Sequence, residues 1–375
     1  MPAVLTAGET LYDELEAFGV TRRSFLTFCA TMSGVLALPS VFTERIAQAL
    51  EASEKPSLIW LEFQDCAGNT ESFLRAHDPG VADIVLDLLS VDYHETIMAA
   101  AGARAEAAKQ AAIQAGGHIV VVEGSVPVAD GGVYCTIGGK TAMQLLEEAA
   151  VGAAAIINVG TCSSFGGIPA ASPNPTGARG VPAVIKNVPI INLPGCPMNV
   201  DNLLGVVAHY LTFGALPATD EQGRPLFAYG QRIHDNCERR AHFDAGQFAL
   251  EWGDEGHRKG WCLYKLGCKG PSTFHNCPTQ RWNNGTNWPV GAGHGCVGCS
   301  EADFWDTMSP FYERLPKPPG FNVTTTADRI GLTIVGATAV GFGAHGVAKV
   351  IQHRRARNQE AVPPDDTEPE GGEEQ

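Results

Sequence analysis

Residues 58–66 read Leu58-Ile59-Trp60-Leu61-Glu62-Phe63-Gln64-Asp65-Cys66, an apolar run that ends on an acidic residue and a cysteine. A short apolar run bounded by polar residues predicts a buried strand over Leu58–Phe63. Three more runs of the same kind follow, at His118–Glu123, Ala154–Val159 and Val188–Leu193, and helical stretches fall between them at Ala99–Ala115 and Thr141–Ala150. Strands that alternate with helices imply an α/β fold built on a parallel sheet with helices on both faces.

This sheet has a chemical consequence. Cys66, Cys162 and Cys196 each lie just beyond the C-terminal end of a predicted strand, and the Glu123-Gly124-Ser125 turn follows another. In open α/β sheets that edge is where ligands bind. Topology alone would therefore gather three cysteines, each more than 30 residues from the next, into one crevice. All three sit in loops with Gly or Pro neighbours instead of in apolar runs, which favours a ligand set over three separately buried thiols. Asp65, beside Cys66, is the nearest candidate for a fourth ligand, and Asn69 is the next.

The style of the chain changes near residue 215. From about Pro217 to Pro319 it is poor in periodic runs and rich in Gly, Pro, Trp, Asn and Cys, so this part is expected to be organised by metal more than by a large core. It carries His234-x2-Cys237, Cys262-x5-Cys268 and Cys277-x18-Cys296-x2-Cys299. Iron–sulfur clusters are held by cysteine thiolates, and this stretch reads as two clusters, one on Cys237, Cys262 and Cys268 with His234 as fourth ligand, the other on Cys277, Cys296 and Cys299. The latter has no fourth thiol nearby, which suits a three-iron cluster, although water or another side chain could complete a four-iron one. Structural zinc and disulfides are the alternatives, but only Cys296 and Cys299 form the short pair that zinc knuckles favour. Counting then closes: nine cysteines fall into three sets of three, Cys135 stands apart, and Cys29 lies in a segment expected to be removed.

That segment is residues 1–49. Thr21-Arg22-Arg23-Ser24-Phe25-Leu26 places a twin-arginine pair before a weakly apolar run from Phe25 to Phe42, and Ala47-Gln48-Ala49 offers a small-residue cleavage site. Export by the twin-arginine translocase is the expectation. This route carries folded, cofactor-loaded cargo, so an extracytoplasmic location does not require disulfides here. A second apolar stretch, Ile330 to Ile351, spans about 33 Å as a helix, enough to cross a bilayer core of about 30 Å. Arg354, Arg355 and Arg357 follow it, so the positive-inside rule puts the C-terminus in the cytoplasm and the main body on the periplasmic side of the inner membrane. His345 and Lys349 within it are costly in lipid unless paired or functional. The formal charge of −15 includes an acidic, Pro-rich tail after residue 358 that reads as disordered, and no basic stripe suits nucleic acid.

Taken in order, the Thr21–Leu26 motif, WLEFQDCAGNTESF at 60–73, VEGSVP at 122–127, GTCSSFGG at 160–167, LPGCP at 193–197, HDNC at 234–237, WCLYKLGCKGP at 261–271 and GHGCVGCSE at 293–301 resemble the small subunits of membrane-bound nickel–iron hydrogenases over nearly the whole chain. The resemblance implies a flavodoxin-like domain over 50–216 with a proximal cluster on Cys66, Cys162 and Cys196. It implies an irregular domain over 217–322 with a distal 4Fe-4S cluster on His234, Cys237, Cys262 and Cys268 and a medial 3Fe-4S cluster on Cys277, Cys296 and Cys299. A transmembrane anchor over 323–357 and a tail over 358–375 complete the chain. The nickel–iron site would lie in a separate large subunit, and this chain would pass electrons from H2 oxidation to a membrane acceptor such as a cytochrome b, against which His345 is a weak candidate contact. An iron–sulfur subunit of another membrane redox complex is the competing assignment.

One departure from the family pattern stands out. The usual first motif has two cysteines in a C-x2-C arrangement, and the second position here is Asn69. Asp65 is the hypothesised substitute ligand, and a capping Asp or Asn beside a three-iron proximal cluster is the plainer alternative. Position 68 is glycine, so the additional cysteines of oxygen-tolerant relatives are not evident.

Overall fold

The computed structural model describes residues 22–52, 55–77, 80–81, 84, 89–314 and 327–360. Thr21 of the twin-arginine motif, residues 323–326 of the expected anchor and residues 361–375 of the acidic tail lie outside them, while 358–360 of that tail continue a helix instead of being disordered.

Five parallel strands form the sheet: β1 (Ser57–Glu62), β2 (Ser90–His94), β3 (Ile119–Glu123), β4 (Ala155–Val159) and β5 (Ile190–Leu193), in the order β2-β1-β3-β4-β5. This is the doubly wound order that puts a switch point between β1 and β3. The four strands expected from the sequence are present within two residues of the expected bounds. The fifth, β2, lies at an edge and is only half-buried along most of its length, so its apolar signal is weak.

Alternation along β1 sends Leu58 and Trp60 to one face and Ile59 and Leu61 to the other, and β3 does the same with Ile119 and Val121 against Val120 and Val122. The Ile59 face is covered by α4 (Ala103–Ala115) and α5 (Ala142–Ala150) through Ala105, Ala112, Leu145, Leu146 and Ala149. The Trp60 face is covered by α3 (Gly68–Leu74) and α7 (Val200–Phe213) through Phe73, Leu203, Val206 and Val207. Each such buried aliphatic side chain contributes roughly 1.5–3 kcal/mol relative to exposure. Helix α5 begins with a capping box in which Thr141 and Gln144 satisfy each other's backbone N–H groups. Helix α7 starts on Asn199, whose side chain accepts from the Asp201 N–H, and ends on Gly214 in the left-handed region.

The N-terminal residues form two further helices, α1 (Arg22–Val35) and α2 (Phe42–Ala52), and their apolar side chains belong to the same core cluster as the Trp60 face of the sheet. Between α7 and residue 314 the described residues form only short helices and isolated bridges, in keeping with the Gly- and Pro-rich sequence there. A small apolar cluster of Ile233, Ala249, Leu263, Leu266, Trp288 and Val290 surrounds Cys277 and Cys296 there.

Considered by itself, α8 (Ala327–Glu360) is one long helix whose Gly331–Arg355 portion is long and apolar enough to cross a membrane, with every described side chain exposed. Its 25 residues span about 37 Å at 1.5 Å per residue. His345 lies in this exposed stretch.

Candidate metal centres

The carboxyl edge of the sheet delivers the first cysteine set. Cys66 follows β1, Cys162 lies on α6 (Gly160–Phe165) directly after β4, and Cys196 follows β5. Desolvation raises the pKa of Cys162 and Cys196, and neighbouring thiols add to it, Cys66 for both and Cys162 for Cys196. Glycines clear the space around the sulfurs: a Cβ on Gly167 would lie 2.6 Å from Cys162 Sγ, and one on Gly68 would lie 3.1 Å from Cys66 Sγ. Gly167 also has φ +56°, where a side chain is strained.

The loops that carry these cysteines are tied to one another by Asn69 and Glu123, a brace between distant positions that residue spacing does not signal. Glu123, fully buried, accepts from Asn69 N–H (2.7 Å), Asn69 Nδ2 (3.1 Å), Thr70 N–H (2.9 Å) and Thr70 Oγ1 (2.7 Å). Asn69 Oδ1 accepts from Met198 N–H at 2.8 Å, linking the Cys66 loop to the Cys196 loop. Gly160 lets the Asn69 amide approach the Cys162 loop, since a Cβ there would lie 2.6 Å from Asn69 Nδ2. Both polar ends of Asn69 are thus engaged within the protein, and it serves as a strut where relatives are expected to place a thiol.

Asp65, by contrast, is exposed, and its Oδ2 accepts from Ala67 N–H at 2.7 Å in a tight Asx turn. One oxygen of each of Asp65, Glu62 and Glu123 falls within 4.8 Å of the others. Partial desolvation raises the pKa of Asp65, whose side chain still opens to solvent, and full burial raises that of Glu123, and the neighbouring carboxylates add to both.

In the second part, His234, Cys237, Cys262 and Cys268 line a single small cavity together with Arg239, Leu263, Tyr264 and Val290. All four candidate donors of the second set therefore converge. The Arg239 N–H points at Cys237 Sγ (3.4 Å) and the Cys296 N–H at Cys268 Sγ (3.3 Å).

Cys277, Cys296 and Cys299 line a larger, predominantly apolar cavity of about 680 Å³, into which Cys196 also reaches. His275 Nε2, Trp282 Nε1 and Trp288 Nε1 are buried there without a hydrogen-bond partner among the described residues. Buried N–H groups are normally satisfied, so three orphans on one wall beside three thiols fit a group rich in acceptor sulfur. Sequence reading did not single out these three residues; their only signal was the unusual density of Trp and His between the cysteines.

No cysteine is in a disulfide among the described residues. Burial pushes the Cys162 and Cys237 thiols up to about 11 and the Cys196 and Cys262 thiols up to about 12. Cys268, Cys277, Cys296 and Cys299 are raised by the same cause. Thiols raised this far become thiolates only with cationic charge beside them, which is what metal ligation supplies.

The three sets share walls. Cys196 lines the same cavity as Cys299, and Thr161 accepts from the Gly195 N–H (2.9 Å) while donating to the Cys299 carbonyl. A Cβ on Gly295 would lie 3.0 Å from Cys268 Cα. A doubly wound sheet and a loop-rich lobe thus deliver sets of soft donors in contiguous array, the kind of arrangement an electron-transfer subunit uses.

Comparison with known proteins places it further. Residues 229–312 match the model for the C-terminal part of NiFe/NiFeSe hydrogenase small subunits, and residues 66–210 match that of the NADH ubiquinone oxidoreductase 20 Kd subunit. The chain is 47% identical to the quinone-reactive Ni/Fe-hydrogenase small chain of Wolinella succinogenes over 92% of its own length and all of the relative's. It is 47% identical to the uptake hydrogenase small subunit of Azotobacter vinelandii over 92% of its own length and 96% of the relative's. A solved [NiFeSe]-hydrogenase chain from Desulfomicrobium baculatum superposes with TM-score 0.65 at 38% identity, covering 70% of this chain and 100% of that one. The chain belongs to the nickel–iron hydrogenase small subunits. It is the electron-transfer member of a hydrogenase heterodimer whose other member is the large subunit.

Proposed function

We propose that this chain holds three iron–sulfur centres in line and hands electrons from its large subunit to a membrane acceptor. The convergence of the His234, Cys237, Cys262 and Cys268 donors on one cavity, sharing a wall with the Cys277, Cys296 and Cys299 cavity, carries this reading. Cys66, Cys162 and Cys196 would hold the proximal centre, Cys277, Cys296 and Cys299 a medial 3Fe-4S centre, and His234 with Cys237, Cys262 and Cys268 a distal 4Fe-4S centre. Iron–sulfur clusters supply one-electron storage at potentials tuned by ligand type, hydrogen bonding and burial.

The protein's own residues do the tuning. Apolar walls around Cys277 and Cys296 would shield a cluster from water, and the His275, Trp282 and Trp288 side chains that line the cavity would supply N–H donors to its sulfur. Backbone N–H groups of Arg239 and Cys296 are directed at ligand thiols of the distal set. Asp65 is our candidate fourth ligand of the proximal centre, a 4Fe-4S cluster on this reading, because Asn69 is committed to Glu123 and Met198 while Asp65 is exposed at the mouth of the site. Asp65→Ala would then lower the iron count and alter the proximal spectrum; an unchanged spectrum with full iron excludes Asp65.

For location, residues 1–49 serve as a twin-arginine leader, 323–357 as a membrane anchor and 358–375 as a cytoplasmic tail, with the two lobes over 50–216 and 217–322 on the periplasmic face. The apolar helix Gly331–Arg355 and the arginines at its C-terminal end support this orientation. The acceptor is a membrane cytochrome b or similar redox subunit, with His345 in the anchor as a possible point of contact. The test is anaerobic purification of the tagged chain from its host, with metal analysis and hydrogen-dependent dye reduction. Nickel with about eleven or more irons per heterodimer, as expected for three such clusters plus the partner's site, supports the reading. Iron without nickel or hydrogen activity turns it toward a different redox complex, and zinc without iron refutes it.

A further inference from the structure

The N-terminal residues are packed as though they belonged to the folded body. Helices α1 and α2 form a hairpin whose turn is closed by Leu36 N–H to Met32 O (2.9 Å) and Leu38 N–H to Ser33 O (2.8 Å). Ser33 and Thr43 hydroxyls meet across it at 3.3 Å. The hairpin buries Phe25, Phe28, Cys29, Met32, Ile46 and Leu50 in the core cluster shared with α7.

Its seat on α7 is shaped for it. Gly205 is the low point of the contact, because a Cβ there would lie 3.1 Å from Val35 Cγ1. At the far end of α7, Phe213 meets the Phe42 ring at 5.9 Å, and the Arg45 guanidinium lies 5.2 Å from the Phe213 ring centre. The small-residue cleavage site Ala47-Gln48-Ala49 falls inside α2, with Ala47 buried and Leu50 just beyond it buried as well. A protease cuts such a segment only after local opening exposes it.

We infer that in the precursor the export leader is stowed as a helical hairpin on α7, so that leader processing requires the hairpin to leave its seat. The consequence for processing rests on the leader reading given above; the docking itself does not. A twin-arginine cargo crosses the membrane folded, so this seat is already formed in the cytoplasm, where the leader's apolar side chains need cover. Leaving the seat uncovers the apolar face of α7 only as the leader is withdrawn.

Cys29, fully buried, is the probe. The uncleaved precursor, held with its large subunit in a translocation-deficient host, is treated with N-ethylmaleimide, and labelling of Cys29 is followed by mass spectrometry. Alongside it go Ile46→Glu, which disturbs the leader side, and Gly205→Val, which fills the seat against Val35 while leaving the leader's own sequence unchanged. We expect both variants to label at Cys29 at least tenfold faster than the wild-type precursor while keeping the same visible cluster absorption. Purified leader peptidase should also cleave both faster. Wild-type labelling as fast as in Ile46→Glu overturns the proposal, and so does a Gly205→Val precursor that stays as protected as wild type. N-terminal sequencing of the exported enzyme tests the leader reading separately: if residues 1–49 are retained while Cys29 is protected, docking stands and the processing role falls.

Discussion

Asn69→Ala is the substitution whose cost the geometry defines best. It removes the Nδ2 bond to the Glu123 carboxylate and the Oδ1 acceptor of the Met198 N–H, both in a buried setting, while Glu123 keeps three donors from the Asn69 and Thr70 backbone and the Thr70 hydroxyl. A hydrogen bond to a charged group contributes about 1.5–3 kcal/mol and a stranded buried N–H costs about 1–3, so the loss should be on the order of 3 kcal/mol after partial relaxation. For a body of this size that corresponds to a fall in the apparent thermal midpoint of roughly 5–10 °C. The assay is differential scanning fluorimetry of the purified heterodimer under hydrogen-free nitrogen, with iron analysis in parallel. Asn69→Asp is the control: it can still accept from Met198 but sets a carboxylate against Glu123, so it should be no more stable than the alanine variant. A midpoint for Asn69→Ala within 1 °C of wild type would refute the idea that this residue is a strut, and would return it to the pool of candidate ligands.

Thr161→Val removes the hydroxyl that joins the Gly195 N–H to the Cys299 carbonyl, and a loss of about 1–2 kcal/mol is expected in the same assay, together with a changed signal from the medial centre in electron paramagnetic resonance. Gly167→Ala drives a methyl group into Cys162 Sγ at a backbone φ of +56°, so iron content of the purified heterodimer should fall by one cluster's worth, whereas Gly331→Ala, on the exposed anchor, should leave it unchanged. Glu95 is raised to about 7, chiefly by burial and then by Glu62. Its folded pKa lies above its unfolded one, so the folded state holds the extra proton and stability falls as pH rises from about 4.5 to about 7. Thermal midpoints measured across that window should decline more steeply for wild type than for Glu95→Gln; parallel curves would remove Glu95 from the account.

Strands β1, β3, β4 and β5 were legible because each is a buried apolar run closed by turn residues, and that alone predicted the edge where Cys66, Cys162 and Cys196 emerge. Edge strand β2 was not legible, since Asp92 and its half-buried neighbours lack both a continuous run and a clean alternation. The cysteine spacing likewise announced the converging distal donors. What spacing could not express was the role of residues acting through long-range contacts: Asn69 meets Met198 and Thr161 meets Cys299, 129 and 138 positions away. The N-terminal run differed for another reason. Its weak hydrophobicity suits a leader, yet Phe25, Phe28, Met32, Ile46 and Leu50 recur at helical spacing, which also makes a face that can pack on α7.

The shared walls between cysteine sets have an engineering consequence. The Thr161 hydroxyl, next to Cys162 of one set, donates to the carbonyl of Cys299 in the next, and the Cys296 N–H is directed to the sulfur of Cys268 in the third. Modules joined in this way cannot be exchanged singly: transplanting a donor loop from a relative also swaps the neighbouring centre's hydrogen-bond donor. A chimera that aims to retune one station must carry its adjoining wall along, and homologous exchange should succeed in blocks cut outside residues 161–299, not between the cysteines.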